Sequence, residues 1–428
     1  MDTSRHTFGL IGHPLGHSWS PLIHKQLGST PYDLIELEPD EVEPFLKEGD
    51  WKGLNVTIPY KEKAAQLADV TTERVKRTGA ANTLVKDKNG RIVAENTDVL
   101  GFEYLLERFC TQKLYATSTK QLLQHQDVLV LGSGGASKAV QAALEDLNAH
   151  VSVISRRGED TYATITQKHS HVSLIVNTTP VGMYPNCPKS PLDQETLAAF
   201  PELFGVLDVV YNPRRTKLCM LAESMQLPSK SGLAMLVAQA FHSSTLFQDK
   251  DLDDSLIETI ENTIVRETEN LILIGMPGSG KTSTGKHLAH LLHRPFLDMD
   301  QAFTMEFGIS PATFIETKGE ASFRELETSL LAKSASRPGM VISCGGGVVT
   351  RPENYELLHQ NGRIIMLNRP LIGLETDGRP ISQRDGIAKL AETRMPLYRG
   401  WADFVIRTTG TPKGDVEAIL SRLKSSAD

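Results

Sequence analysis

The chain has 428 residues, 40% of them hydrophobic and 23% charged, and a formal net charge of −7. That length allows roughly two to four domains with separate cores, and the acidic balance argues against a nucleic-acid or anionic-membrane surface. Cys110, Cys187, Cys219 and Cys344 show no paired spacing, which suggests neither a disulfide framework nor a zinc site, and no apolar run is long enough to span a bilayer, so a cytoplasmic protein is expected.

The start, Met1 to Phe8, lacks a basic-then-apolar signal. Phe8 to Ile11 reads as a buried strand, followed by Gly12-His-Pro-Leu-Gly-His-Ser18-Trp-Ser20-Pro. Two serines ahead of a proline that can open a helix read, on composition alone, as a helix cap. Leu54-Asn55-Val-Thr57-Ile-Pro59-Tyr-Lys61 is a strand running into a proline stop. Gly79-Ala-Ala-Asn82-Thr-Leu precedes a turn at Lys86 to Gly90, and Glu95-Asn-Thr-Asp98 closes the return strand of a hairpin.

Taken together, H-S-x-S-P, N-V-T-x-P-x-K, G-A-x-N-T and N-T-D, in this order, resemble the shikimate dehydrogenase family. The resemblance implies that Ser18, Ser20, Asn55, Thr57, Asn82, Asp98 and Gln239 hold the hydroxyls and carboxylate of shikimate, and that Lys61 and Asp98 form the catalytic pair. The physical chemistry agrees, because a triol carboxylate needs convergent Ser, Thr, Asn and Gln groups and one cation suited to proton transfer.

Gly101 to Phe109 looks helical, and a glutamine-rich connector follows. Val128-Leu-Val-Leu-Gly132-Ser133-Gly134-Gly135-Ala136-Ser137 gives a strand, a glycine turn and a helix start, with Ser137 in the third glycine slot. The next strand, Val151 to Ile154, ends at the distance expected of a Rossmann second strand. There Ser155-Arg156-Arg157 replaces the acidic residue that would favour NAD, and guanidinium groups suit the 2′-phosphate of NADP. The resemblance continues through Asn177-Thr178-Thr-Pro-Val-Gly-Met183, Asp208-Val-Val-Tyr211-Asn-Pro and Gly232 to Gln239. It implies cofactor contacts at Thr178, Met183 and Gly232 and a substrate contact at Tyr211.

Gln248 to Asp254 is a short acidic run, and a partly helical acidic stretch follows to Asn270, which reads as a connector. Leu271 to Ile274 is then a strand, Gly275-Met-Pro-Gly278-Ser279-Gly280-Lys281-Thr282-Ser283 a phosphate loop, and Lys286 to Leu292 a helical pattern. Loop N–H groups at a helix start cradle phosphate, with Lys281 on the outer phosphates and the Thr282 hydroxyl on Mg2+. Phe296-Leu-Asp298-Met-Asp300 reads as a strand end carrying two carboxylates on one side. These suit Mg2+ and a hydroxyl nucleophile, with helix capping the plainer role. Three glycines, Gly345-Gly346-Gly347, after the strand Met340 to Ser343 imply close approach of a ligand or backbone.

With Arg324, Arg379 and Arg394, this set resembles shikimate kinase over about residues 270–410. The resemblance implies that Asp300, Arg324, Gly346, Gly347 and Arg394 bind shikimate, that Asp298 helps hold Mg2+ through water, and that Arg379 is a lid arginine on the transferring phosphate. The segments Leu367 to Arg379 and Pro380 to Arg394 are compressed relative to the family pattern.

The expected architecture is α/β throughout. A two-domain dehydrogenase has its substrate domain at 1–100 plus 231–250 and a Rossmann NADP domain at 101–230. A linker at 251–269 leads to a P-loop, NMP-kinase-like domain at 270–428. The expected activities are NADPH-dependent reduction of 3-dehydroshikimate and MgATP-dependent phosphorylation of shikimate, with release and rebinding between sites. The alternatives are a regulatory nucleotide-binding C-terminal half, or a first half that prefers quinate and NAD, against which Arg156 speaks. No nucleic-acid or membrane partner is expected, and the chain is expected as monomer or homodimer.

Overall fold

Strands form where runs of Val, Ile and Leu lie between glycine turns, and they assemble into three separate sheets. The computed structural model describes residues 6–16, 18–157, 160–374 and 386–425. The chain divides into two units, Met1–Thr263 and Ile264–Asp428, and the division falls inside the helix Ser255–Thr268.

In the first unit β1 (His6–Gly12), β2 (Tyr32–Glu36), β3 (Trp51–Val56), β4 (Val70–Thr71), β5 (Thr83–Lys86) and β6 (Ile92–Glu95) make a six-stranded sheet in the order β2-β1-β3-β5-β6-β4. The hairpin read from the sequence is β5–β6, paired antiparallel. Its turn closes on Asp87, whose carboxylate accepts from the Asn89 and Arg91 N–H groups at 2.8 and 2.9 Å.

The strands β7 (Asp127–Leu131), β8 (His150–Ile154), β9 (Val172–Asn177), β10 (Gly205–Asp208) and β11 (Ser229–Ser231) form a parallel sheet, order β11-β10-β9-β7-β8. Both its faces are covered. Val128 and Val130 point into one core with Leu174, Val176 and Leu207, while Leu129 and Leu131 join Ile175 and Val206 in the other. Strand alternation produces that split, and continuous apolar runs are its sequence signature. The helix Leu233–Gln248 contributes Ala234 and Met235 to one of these cores and Phe247 to a cluster with Phe8, Leu10, Leu15 and Tyr32 of the first sheet. It therefore ties the two sheets of this unit together.

The second unit holds β12 (Asn270–Ile274), β13 (Phe296–Asp298), β14 (Val341–Ser343), β15 (Gly362–Asn368) and β16 (Phe404–Arg407), all parallel, in the order β13-β14-β12-β15-β16. Ile272, Ile274, Ile364 and Met366 face one core; Leu271, Leu273, Ile365 and Leu367 face the other. No helix among the described residues is long and apolar enough to cross a membrane.

Candidate active sites

The first unit contains a cavity of about 520 Å3 lined by Ser18, Ser20, Asn55, Thr57, Lys61, Asn82, Asp98, Ala136, Met183, Tyr211, Gly232 and Gln239. Each arrives from a different part of the chain for a local reason. Ser20 opens the helix Ser20–Leu27, but its N-cap position is Trp19, with no side-chain cap bond. The plain capping role is thus not formed. Instead the Ser18 hydroxyl accepts from the Ser20 N–H at 3.2 Å and lies 3.1 Å from the Ser20 hydroxyl. Asn55 sits near the end of β3, and Lys61 begins the helix Lys61–Leu67 just past the proline stop. Asp98 lies in the first turn of the helix Thr97–Lys113, where Asn96 caps its N–H.

Lys61 Nζ donates to Asp98 Oδ2 at 2.5 Å, and Asn82 Nδ2 donates to Asp98 Oδ1 at 2.9 Å. The lysine and aspartate side chains are 18% and 11% exposed, so the pair is shielded yet open to the cavity. Asn82 Nδ2 also reaches Gln239 Oε1 at 3.2 Å. Behind this row Tyr32 donates to Asn55 Oδ1 at 2.8 Å, and the fully buried Ser243 accepts from Asn55 Nδ2 at 2.8 Å. Burial pushes the Tyr211 phenol up, and its ring packs 5.3 Å from Trp19.

The glycine turn after β7 adjoins this cavity through Ala136. Gly132 has φ +104° and lies against Thr178, whose hydroxyl donates to the Leu131 carbonyl at 2.7 Å. Around Gly134 there is open space, at the start of the helix Gly135–Asp146. Open backbone at a helix N-terminus is the arrangement that can receive a phosphate group, and Ser133 and Gly135 flank it. Ser137, in the third glycine slot, is fully buried and small enough for the helix to pack on the sheet. Ser155, Arg156 and Arg157 follow β8 directly, both arginines exposed.

In the second unit a cavity of about 430 Å3 is lined by the phosphate loop and by Asp298, Asp300, Arg324, Gly346, Gly347 and Arg394. The loop turns through positive φ at Gly275, Gly278 and Gly280, and the helix Lys281–Leu291 begins at once. Lys281 Nζ donates to the Gly275 and Met276 carbonyls, both at 2.9 Å, closing the loop. Ser279 is buried, its hydroxyl without a partner among the described residues, and Ser283 lines the cavity.

Thr282 Oγ1 donates to Asp298 Oδ2 at 2.6 Å, bringing together the two groups expected at Mg2+. No cluster of three His, Cys, Asp or Glu side chains suited to a metal occurs among the described residues. A hydroxyl and one carboxylate fit Mg2+, which completes its shell with phosphate oxygens and water. The sequence expectation for the two carboxylates needs correction. β13 ends at Asp298, which caps the helix Met299–Phe307 by accepting from the Asp300 and Gln301 N–H groups at 3.1 and 3.2 Å. Asp300 lies in the first helical turn, so strand alternation does not relate the two, and the capping role belongs to Asp298.

Arg324 is buried on the helix Glu320–Ala335, with Nη1 donating to Glu327 Oε2 at 2.6 Å and Nη2 to Glu320 Oε1 at 3.3 Å. Its Nε–H is buried with no partner among the described residues. Burial pushes the Glu327 carboxyl up, with Arg324 opposing and Asp300 reinforcing. The glycines make this packing possible. A side chain at Gly347 would overlap the Arg324 guanidinium, and one at Gly346 would come within 2.7 Å of Pro277. Arg394 and Tyr398 both donate to the Gly346 carbonyl, Arg394 at 3.2 Å. Glu327, Tyr398 and Arg369, whose Nη1 donates to the Gly278 carbonyl at 3.3 Å, carry no role in the sequence reading. The spacing Arg324-x-x-Glu327 on a helix was the available signal for the first. Arg379 lies outside the described residues.

Residues 10–84 match the family model described as shikimate dehydrogenase substrate binding domain, and residues 277–424 the one described as shikimate kinase. A shikimate dehydrogenase (NADP(+)) of Clostridium perfringens is 33% identical over 275 residues, 59% of this chain and 96% of the relative. Among solved structures, shikimate dehydrogenase 1 from Peptoclostridium difficile is 30% identical with a TM-score of 0.52, covering 60% of this chain and 97% of that one. Shikimate 5-dehydrogenase from Thermus thermophilus, in complex with NADP(H) and shikimate, is 29% identical with a TM-score of 0.50, covering 60% and 99%.

Proposed function

The chain belongs to the shikimate dehydrogenase family and carries a shikimate kinase match after it, and from that premise we propose that it performs two consecutive steps on one molecule. The first reduces the 3-keto group of 3-dehydroshikimate; the second phosphorylates the 3-hydroxyl so formed. NADPH, when bound, supplies the hydride, and MgATP the phosphoryl group.

In the first cavity Lys61 gives a proton to the carbonyl oxygen as the carbon is reduced, and Asp98 holds its ammonium in place. Asn55, Asn82 and Gln239, with the hydroxyls of Ser18, Ser20 and Thr57 and with Tyr211, hold the substrate hydroxyls and carboxylate. Gly132 to Ala136, Thr178, Met183 and Gly232 border the cofactor, and Ser155, Arg156 and Arg157 its 2′-phosphate. In the second cavity Asp300 orients the 3-hydroxyl and takes its proton, while Arg324 and Arg394 hold the carboxylate. Lys281 and the N–H groups from Gly278 to Ser283 hold the phosphates, and Thr282 and Asp298 hold Mg2+. Arg379 is assigned to the transferring phosphate from the resemblance. Positioning and fixed charge supply most of the acceleration in such a transfer.

One observation carries the second, phosphorylating step: a single cavity is lined both by the phosphate loop and by Asp300, Arg324 and Arg394. A triphosphate cradle sharing its space with a carboxylate-binding pair and a base is what a kinase of a small hydroxy acid needs. The test is incubation of the whole chain with 3-dehydroshikimate, NADPH, ATP and Mg2+, followed by mass analysis. Phosphorylated shikimate is the expected product. Unphosphorylated shikimate with NADPH consumed would reduce the second half to a nucleotide-binding regulatory module, and consumption of neither cofactor would overturn the proposal.

A further inference from the structure

Ser243 stands on the helix Leu233–Gln248, one turn after Gln239, and is fully buried. Its hydroxyl meets four polar groups: Asn55 Nδ2 at 2.8 Å, Thr83 Oγ1 at 2.9 Å, Thr97 Oγ1 at 3.0 Å and the Gln239 carbonyl at 2.9 Å. A serine hydroxyl has one proton and two acceptor lone pairs. The carbonyl one turn back can only accept, so it takes the proton. Both lone pairs then face donors, one of them Asn55 Nδ2 and the other a threonine hydroxyl. The remaining threonine donates to Asn82 Oδ1, which lies 3.2 Å from both threonine hydroxyls and also accepts from the Thr97 N–H at 2.7 Å. Each of the three hydroxyl protons is then used once, Asn82 Oδ1 accepts twice, and Thr97 Oγ1 also accepts from Asn82 Nδ2 at 3.0 Å.

That accounting fixes the Asn55 amide. Asn55 must turn its nitrogen to Ser243 and its oxygen to the Tyr32 hydroxyl, 2.8 Å away. Its second N–H has only 3.3 Å contacts, to the Asn82 carbonyl and Thr83, and is the one able to turn to a ligand oxygen. Asn82 is held separately: its oxygen accepts from the Thr97 backbone N–H at 2.7 Å, so its nitrogen faces Asp98 Oδ1, Thr97 Oγ1 and Gln239 Oε1 at 2.9, 3.0 and 3.2 Å. We propose that Ser243 is a positioning residue of the dehydrogenase site: it sets the orientation of the Asn55 amide, so that a polyhydroxylated ring meets an N–H donor there rather than a carbonyl oxygen. This rests on the dehydrogenase reading above and adds to it a group that never touches substrate.

The experiment is Ser243→Ala in the full chain, read by shikimate-dependent NADP reduction. The KM for shikimate is expected to rise about tenfold, the effect of losing one buried hydrogen bond, while the KM for NADP and the ATP-dependent activity stay unchanged. In an Asn55→Ala background the same substitution is expected to add less than about twofold, since its target is gone. Ser243→Cys, a weaker acceptor of similar size, is expected between the serine and alanine proteins, and carries the test if the alanine protein does not fold. An unaltered shikimate KM, or an equal rise in both backgrounds, would overturn the proposal by showing a merely structural serine. Failure of the unsubstituted chain to reduce NADP with shikimate would instead refute the dehydrogenase reading itself.

Discussion

Lys61 is the residue whose loss separates the two halves most cleanly. Among the described residues that line the first cavity it is the sole lysine or arginine; the other lining residue able to carry a positive charge is His13, which faces Glu36 at 3.4 Å. Its ammonium sits 2.5 Å from Asp98 Oδ2, and both side chains are largely shielded from water. Lys61→Met keeps the aliphatic stem, which packs beside Gly135, and removes only the charge and the proton. A positioned proton donor contributes about 10²–10⁴ to rate. With Asp98 left paired to Asn82 and no other lysine or arginine in the cavity, kcat for shikimate oxidation is expected to fall about a thousandfold, or ~4 kcal/mol of barrier. Asp98 keeps its bond from Asn82, so the KM for shikimate should change far less. The assay follows NADP reduction at saturating shikimate and ADP release from the same preparation. ADP release should be unchanged, because Lys61 lies in the first unit and the phosphate loop in the second. A kcat within tenfold of the unsubstituted chain would refute the assignment of the proton to Lys61. Parallel loss of both activities would show that the substitution acts on folding.

Three further predictions address the other features. Gly347→Ala places a methyl group on the Arg324 guanidinium, which Glu327 and Glu320 prevent from moving aside; shikimate-dependent ADP release should drop about a hundredfold, as for a misplaced reacting group, with NADP reduction intact. Replacing Arg156 and Arg157 together by alanine should raise the KM for NADP about tenfold or more and leave that for NAD unaltered, measured by initial rates with each cofactor. The third concerns stability. Asp208 is fully buried at the end of β10, and burial pushes its carboxyl up to about 7 against the donors around it. The folded chain then holds a proton that the unfolded chain releases near pH 4. The stabilisation is full below about pH 4 and is lost progressively up to about pH 7. Asp208→Asn removes that slope, so its melting temperature relative to the unsubstituted chain should be higher at pH 8 than at pH 5. Thermal melts at both values check it, and an equal offset at the two would count against a protonated Asp208.

The phosphate loop was legible in the sequence because its geometry is local. Glycines at 275, 278 and 280 permit the positive φ values, and the strand and helix that flank them follow from apolar periodicity. The turn after β7 and the β5–β6 hairpin were legible for the same reason. The carboxylates of Asp298 and Asp300 were not, since alternation presumes that a strand continues, and β13 stops at Asp298 when that side chain caps the next helix. Family resemblance named Asn55, Asn82, Asp98 and Gln239 as a set, but no spacing could show which way each amide turns. For Asn55 that depends on Ser243, which it meets across 188 residues of chain; within the second unit the placing of the Arg324 guanidinium depends likewise on Gly347, whose missing side chain leaves it space. Covalent neighbours decide backbone shape within a few residues. Orientation of a buried polar group is decided by whichever donors and acceptors packing brings to it, because desolvation leaves it no water to turn to. That selection exists only once the sheets and helices have closed around it.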